Sequence, residues 1–197
     1  MSVAINDERT LLLIKPDGVL RGLCGRIIAR LEDAGLAVVG LKMVQVGKEQ
    51  AQRHYMDDPQ WVANLGHKTL RTYAKHGRDP VAELGTDDPA TIGGYIRGWL
   101  IDYITSGPTV ACVLQGAHAV ELVRKLSGDT MPIDAAPGTI RGDFSSVSAI
   151  AANTLHTAVK NVVHSSSDVD EARREIAEWF SPAEICVHRP VSWSAIY

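Results

Sequence analysis

The sequence predicts an α+β fold, and three observations carry that prediction. Apolar runs at residues 10–15, 36–46, 108–114 and 162–164 are short or rich in β-branched residues, as buried strands are. Between them, apolar residues recur at three- and four-residue spacing, which marks helices with one buried face. The resulting order of strand, helix, strand, helix, strand, helix, strand is that of a split βαβ unit, although periodicity leaves the strand pairing open.

Each element has its own signal. Thr10 to Lys15 (TLLLIK) is too short for a helix, and the Pro-Asp-Gly turn that follows delivers Lys15 to the strand's C-terminal edge. Leu23, Ile27, Ile28 and Leu31 keep helical spacing up to Gly35, a helix C-cap, and Leu36 to Val46 alternates as a second strand. Lys48 to Met56 is a helix carrying His54 and Tyr55. Pro108 to Leu114 is a third strand, Ala117 to Leu126 a helix closed by Gly128, and Val162 to His164 the stub of the last strand. Asp168 followed by Glu171 fits a capping box for a final helix whose buried stripe is Val169, Ala172, Ile176 and Trp179 or Phe180.

Composition limits the function. With 197 residues and 45% hydrophobic side chains the chain can bury one sizeable core, so residues 1–197 are expected to form one domain. A formal charge of -3 supplies no basic footprint for nucleic acid, and any phosphate binding has to be built locally. Cys24, Cys112 and Cys186 are odd in number, far apart and without zinc spacing, as expected of reduced thiols. MSVAINDERT lacks the charged start and apolar stretch of a signal peptide, and no apolar run approaches the roughly 18 residues that span a bilayer. A soluble, cytoplasmic protein with no membrane partner is expected.

Three strings carry chemistry: IKPDGV (Ile14 to Val19), PGTIRGDF (Pro137 to Phe144) and NVVHSSSD (Asn161 to Asp168). Neutral imidazole attacks phosphorus without a base to deprotonate it, and His164, at a strand end facing a Ser-rich turn, is placed to be such a nucleophile. Lys15, Arg124 and Arg141 are flanked by glycines or turn residues that bring backbone close to a ligand, which suits a polyphosphate cradle. Taken singly, His164 would be an ordinary core or surface histidine and each cation an ordinary solvated charge.

Together and in this order, the strings resemble nucleoside diphosphate kinase. Matching segments run from Glu8 to Tyr55, Thr105 to Phe144 and Asn161 to Tyr197. The resemblance implies a ferredoxin-like antiparallel sheet covered by helices, an α/β sandwich, and transfer of the γ-phosphoryl of a nucleoside triphosphate to a nucleoside diphosphate through a phosphohistidine on Nδ1 of His164. Glu175 matches the family's glutamate that holds the other ring nitrogen, and Ser166 the serine beside it. Lys15 and Arg141 would meet the transferring phosphate, Arg124 and Thr130 the phosphate nearer the sugar, and Asn161 the ribose hydroxyl. Tyr55 matches a tyrosine next to the catalytic group and could equally be a helix residue packing on the sheet. Magnesium should arrive with ATP or another nucleotide, so no protein residue is named as a metal ligand. Family members associate as hexamers or tetramers, and a homo-oligomer is expected through the turn Met131 to Pro137 and the tail Pro190 to Tyr197.

Two stretches exceed the family's usual length, about 58–98 and 145–160. The first, with Pro59, Gly77, Pro80, Gly85 and Pro89 between possible helices at Lys68 to Lys75 and Thr91 to Ile104, reads as a structured helical insertion. Three departures from the family pattern stand out. The base-stacking phenylalanine falls on Ile96, with Tyr95, Trp99, Trp61 or Tyr73 as substitutes; Ser167 replaces an aspartate, with Asp168 one place later; and His54, His67, His76 and His156 lack metal spacing and read as surface or packing residues. The alternative to the kinase is a non-catalytic nucleotide-binding or assembly protein on the same fold. A histidine phosphatase or mutase would want a paired acid and an RHG-like turn, and neither is apparent.

Overall fold

The structure, a computed structural model, describes residues 7–188 and Trp193. Four strands, β1 (Arg9–Ile14), β2 (Ala37–Gln45), β3 (Pro108–Gln115) and β4 (Val163–Ser165), form one antiparallel sheet in the order β2-β3-β1-β4. The helices are α1 (Pro16–Leu20), α2 (Cys24–Asp33), α3 (Lys48–His54), α4 (Pro59–Lys75), α5 (Pro80–Leu84), α6 (Pro89–Thr105), α7 (Ala119–Ser127), α8 (Ile140–Phe144), α9 (Ala149–Thr154) and α10 (Val169–Trp179). This is the expected ferredoxin-like sheet covered by helices.

The unbroken apolar run in β1 follows from its central place. Successive side chains of a strand point to opposite faces, and both faces of this strand are covered. Leu12 and Ile14 pack with Ile27 and Leu31 of α2, Val123 of α7 and Ile140 of α8. Leu11 and Leu13 pack with Ala51 of α3, Ile101 and Ile104 of α6 and Trp179 of α10. Each leucine so buried contributes about 2 kcal/mol.

Several elements differ from the sequence expectation. The Pro-Asp-Gly turn is the start of α1, and the glycine-rich PGTIRGDF contains α8, because the Thr139 hydroxyl accepts a hydrogen bond from the Gly142 amide at 3.1 Å and caps it. In α10 the buried residues are Ala172, Glu175 and Trp179, whereas Val169, the first residue of the helix, is 37% exposed. The tail Pro190 to Tyr197 lies outside the described residues except for Trp193. That indole is buried, and its Nε1 donates to the Gly35 carbonyl at 2.9 Å.

Residues of the 58–98 and 145–160 segments share a core. Tyr73, Leu84 and Ile92 are buried there, joined by Leu70, Ile96 and Trp99 and by Ile150 of α9. Three helices of this unit begin with the same device. Asp58, Asp79 and Asp88 each precede a proline, and their carboxylates accept from the amides of Trp61, Val81 and Thr91. Where α4 meets α6 the backbones touch: a Cβ on Gly66 would lie 1.8 Å from the Pro89 carbonyl oxygen, and one on Gly93 1.9 Å from that of Val62.

Adjacent glycines of α6 therefore have opposite sensitivities. Gly93→Ala forces the hairpin apart and should lower stability by about 1–3 kcal/mol. Gly94 faces open space, and Gly94→Ala should raise stability by about 0.5–1 kcal/mol through helix propensity. Urea unfolding of both variants checks the pair, and equal shifts would refute the crossing.

Candidate active site

The site is built on a turn that most side chains avoid. Val162 has φ +68°, and the Val163 amide donates to the Asn161 carbonyl two residues back at 2.7 Å, closing a γ-turn. A β-branched residue in this region is a genuine outlier that costs about 1–3 kcal/mol. It is held by burial of its side chain and by the Lys15 amide, which donates to the Val162 carbonyl at 2.8 Å. The turn leaves Asn161 on one side and His164, opposite Leu13 of β1, on the other.

The final helix brings its one buried carboxylate beneath His164. Ala172, Glu175 and Trp179 recur at three- and four-residue spacing on the face of α10 that meets the sheet. The helix start explains the shifted aspartate: Asp168 caps the Glu171 amide at 2.8 Å, and the Glu171 carboxylate reaches back to the Ser167 amide at 2.6 Å. Nε2 of His164 lies 2.9 and 3.0 Å from the two Glu175 oxygens, and the Ser166 hydroxyl donates to the same carboxylate at 2.6 Å. Burial pushes the Glu175 carboxyl up, but His164 and the Ser166 hydroxyl outweigh burial and hold it well below the usual carboxylate range. A carboxylate only accepts, so Nε2 carries the proton and Nδ1 of His164 keeps its lone pair. His164 is partly open to solvent while Glu175 is sealed.

Cations surround the turn on its other side. Lys15 Nζ donates to Asn161 Oδ1 at 2.7 Å, and Asn161 Nδ2 donates to the Thr130 carbonyl at 3.0 Å. Arg141 donates to the carbonyls of Gly128 at 2.7 Å and Val163 at 2.9 Å. Both cations are buried. Burial, then Arg141, lowers the Lys15 ammonium to about 7 against a partial lift from Asp17, and burial lowers the Arg141 guanidinium to about 10. Two penalised cations side by side are relieved by an anion. Arg124 and Thr130 stand exposed at and beyond the end of α7. Tyr103 of α6 donates its hydroxyl to Asp17 and lays its ring 5.5 Å from Lys15 Nζ. Tyr55 is buried, and its ring stacks on Trp61 at 6.4 Å. A groove of about 1540 Å³ runs along α10 past Val169, Arg173 and Phe180 and includes none of these residues.

The nucleoside diphosphate kinase model matches residues 8–62 and 98–185, which is most of the chain. The chain belongs to the nucleoside diphosphate kinase family. Nucleotide phosphotransfer is the chemistry of this enzyme family. The nucleoside diphosphate kinase of Pyrobaculum aerophilum is 49% identical over 178 residues, covering 90% of this chain and 97% of that protein. A crystal structure of an NDP kinase from the same organism is similar with a TM-score of 0.89 at 47% identity, covering 92% of this chain and 100% of that one. A transition-state mimic of the Borrelia burgdorferi nucleoside-diphosphate kinase with bound vanadate and ADP is similar with a TM-score of 0.78 at 33% identity over 98% of both chains.

Lys15, Tyr55, Arg124, Thr130, Arg141, Asn161, His164, Ser166 and Glu175 lie on β4, α7, α8, α10 and the loops at the ends of β1, α3, α7 and β4, whereas Ile96, the position of the expected base-stacking ring, lies on α6 in the core of residues 58–98. The structure adds His54, which the spacing marks only as a packing residue. It is buried, as packing implies, but its ring stands edge to face with that of His164 at 4.6 Å. Adjacency to Tyr55 was the one hint available, since nothing in sequence links residue 54 to 164 or 175.

The lowered Lys15 sets a pH dependence. The folded protein releases this proton near pH 7, while the unfolded chain holds it to about 10.4. Between those values the unfolded state binds more protons, so this group makes stability rise with pH, by up to about 1.4 kcal/mol per unit. The nucleotide-free Lys15→Met protein should show a shallower rise in urea midpoint from pH 7 to 9 than the wild type; parallel profiles would remove Lys15 as the cause.

Proposed function

We propose that the protein moves the γ-phosphoryl of a nucleoside triphosphate to a nucleoside diphosphate in two half-reactions through His164. The carrying observation is the pair of hydrogen-bond lengths at Nε2, 2.9 and 3.0 Å to Glu175, which leave Nδ1 as the free nucleophile. In the first half, the Nδ1 lone pair forms a bond to the γ-phosphorus, the bond from that phosphorus to the β,γ-bridging oxygen breaks, and the nucleoside diphosphate departs. In the second, a terminal oxygen of another diphosphate takes the phosphoryl from Nδ1, and the free imidazole returns. Glu175 steadies the positive charge that grows on the ring.

The phosphoryl in flight carries its charge on equatorial oxygens, and fixed cations stabilise it electrostatically. We assign that task to Lys15 and Arg141, whose burial makes them seek an anion. Arg124 and Thr130 take the phosphate nearer the sugar, Asn161 the ribose hydroxyl, and Ser166 and Tyr55 flank the reacting histidine. The vanadate and ADP bound to the Borrelia enzyme support a phosphoryl-transfer site of this kind. Magnesium prefers an octahedron of oxygens. Among the described residues, the cluster able to hold an ion is His54, His164 and Glu175, two of whose three donors are imidazoles. That set does not suit magnesium, so we assign the ion to the nucleotide, whose phosphate charge it would neutralise.

We further propose a homo-oligomer, hexamer or tetramer, working in the cytoplasm. Ile133 in the 131–137 turn, and Leu41 and Met43 on the open edge strand β2, are exposed apolar residues that support association.

Incubation with γ-labelled ATP should place an acid-labile, base-stable phosphate on His164 that any nucleoside diphosphate discharges, with parallel lines in steady-state plots. His164→Ala should lose several orders of magnitude of activity, and Glu175→Ala about 10- to 1000-fold. Undiminished transfer in His164→Ala would end the proposal.

For the base, the choice narrows. Tyr73 is buried in the insertion core, Ile96 joins that core, and Trp61 is taken up by Tyr55. Tyr95, 43% exposed, stacks on Trp99 at 6.5 Å, and His156 meets Trp99 edge-on at 5.7 Å. Stacking one base is worth roughly 1 to 3 kcal/mol, so Tyr95→Ala or Trp99→Ala should raise the KM for ATP about 10-fold with kcat retained. Unchanged KM in both folded variants would make these rings packing residues only.

A further inference from the structure

Glu175 faces His164, Ser166, His54 and, at 3.9 Å from its Oε1, the half-exposed Arg174. His164 and Ser166 donate to its carboxylate, while Nδ1 of His54 stands 3.6 Å from Oε1, too far for a hydrogen bond but one small ring rotation away from one. A proton on that nitrogen would compete with His164 for the oxygen. The neighbouring indole decides where the proton sits. Trp179 Nε1 points at His54 Nδ1 at 3.4 Å, and an indole N–H can only donate. Nδ1 must therefore hold a lone pair, and the proton of the neutral ring is on Nε2.

That arrangement has a visible cost. His54 Nε2 is buried and has no hydrogen-bond partner, which costs about 1–3 kcal/mol. A histidine packed only for bulk would turn its N–H toward the carboxylate beside it. This one keeps an unpaired N–H and shows Glu175 a lone pair. Burial, then the adjacent His164, pushes its imidazolium down to about 3, so no second proton fills Nδ1 in the working range. Edge-to-face contacts with Tyr55 at 4.8 Å, His164 at 4.6 Å and Trp179 at 5.5 Å block ring rotation.

We propose that His54, locked by Trp179 as the Nε2–H tautomer, is a positioning residue that keeps the Glu175 carboxylate committed to His164 by offering it no competing donor and by excluding water. The proposal rests on the phosphohistidine reading above. It acts on the reacting ring alone, so loss of the lock should slow phosphorylation of His164 without weakening nucleotide binding.

The test is a double-mutant cycle read by single-turnover labelling with γ-labelled ATP, with the nucleotide KM and a melting curve taken for each variant. In the wild-type background Trp179→Phe frees His54 to donate to Glu175 and should slow labelling about 10-fold or more, since a misplaced reacting group costs up to about 100-fold. In a His54→Phe background no donor exists to be freed, and the same change should slow labelling less than about threefold. KM should hold throughout. Equal slowing in both backgrounds, or no slowing in folded Trp179→Phe, overturns the proposal. Imidazole ¹⁵N NMR of the wild type gives an answer even if a variant fails to fold: a protonated Nδ1 on His54 refutes the lock, and a bare Nδ1 with protonated Nε2 supports it. Failure of the wild type to label at all would instead refute the phosphohistidine reading, so the two are separable.

Discussion

A single peptide unit held against its preference organises this molecule. Val162 is turned to a backbone angle that β-branched residues avoid, and what keeps it there is what assembles the site. The Lys15 amide grips its carbonyl, Arg141 grips the carbonyl of the next residue, and the buried valine side chain joins the core beneath. Without the reversed angle, Asn161 and His164 would alternate across a continuing strand. The strain is offset by burial and by hydrogen bonds from β1 and α8, so sheet, short helix and turn are stable only as a set.

Charge is arranged with the same economy. Lys15, Arg141 and Glu175 are almost entirely buried, and isolated charges in such places are costly. Glu175 is satisfied within the protein by His164 and Ser166. The two cations are satisfied only by neutral oxygens of Asn161, Gly128 and Val163. Glu175 therefore has its partners in place before any ligand arrives, whereas among the described residues neither cation has a carboxylate within salt-bridge distance, an arrangement that favours an incoming anion.

Much of this was legible in the sequence because it is local or motif-bound. The strand TLLLIK, Gly35 and Gly128 past helix ends, and the spacing of Asn161, His164, Ser166 and Glu175 all reappear as read. Other signals were present but passed over: Asp58-Pro59, Asp79-Pro80 and Asp88-Pro89 each announce a helix start, and with them α4 would have begun at Pro59 rather than Lys68. Long-range facts were out of reach. His54 meets His164 across 110 residues only because α3 and α10 pack on one face of the sheet, and the exposure of Val169 at the first position of α10 is something periodicity does not encode. The γ-turn was equally hidden, since valine predicts strand at a position where tertiary contacts override it.

The core shared by residues 58–98 and 145–160 limits how the chain can be cut. Ile150 packs with Tyr73, Ile92 and Trp99 across the two segments, and within the first of them α4 and α6 touch backbone to backbone at Gly66 and Gly93. Deleting residues 145–160 would uncover the side of this core that Ile150 closes. Any chimera that transplants the first segment has to bring a cover for that side.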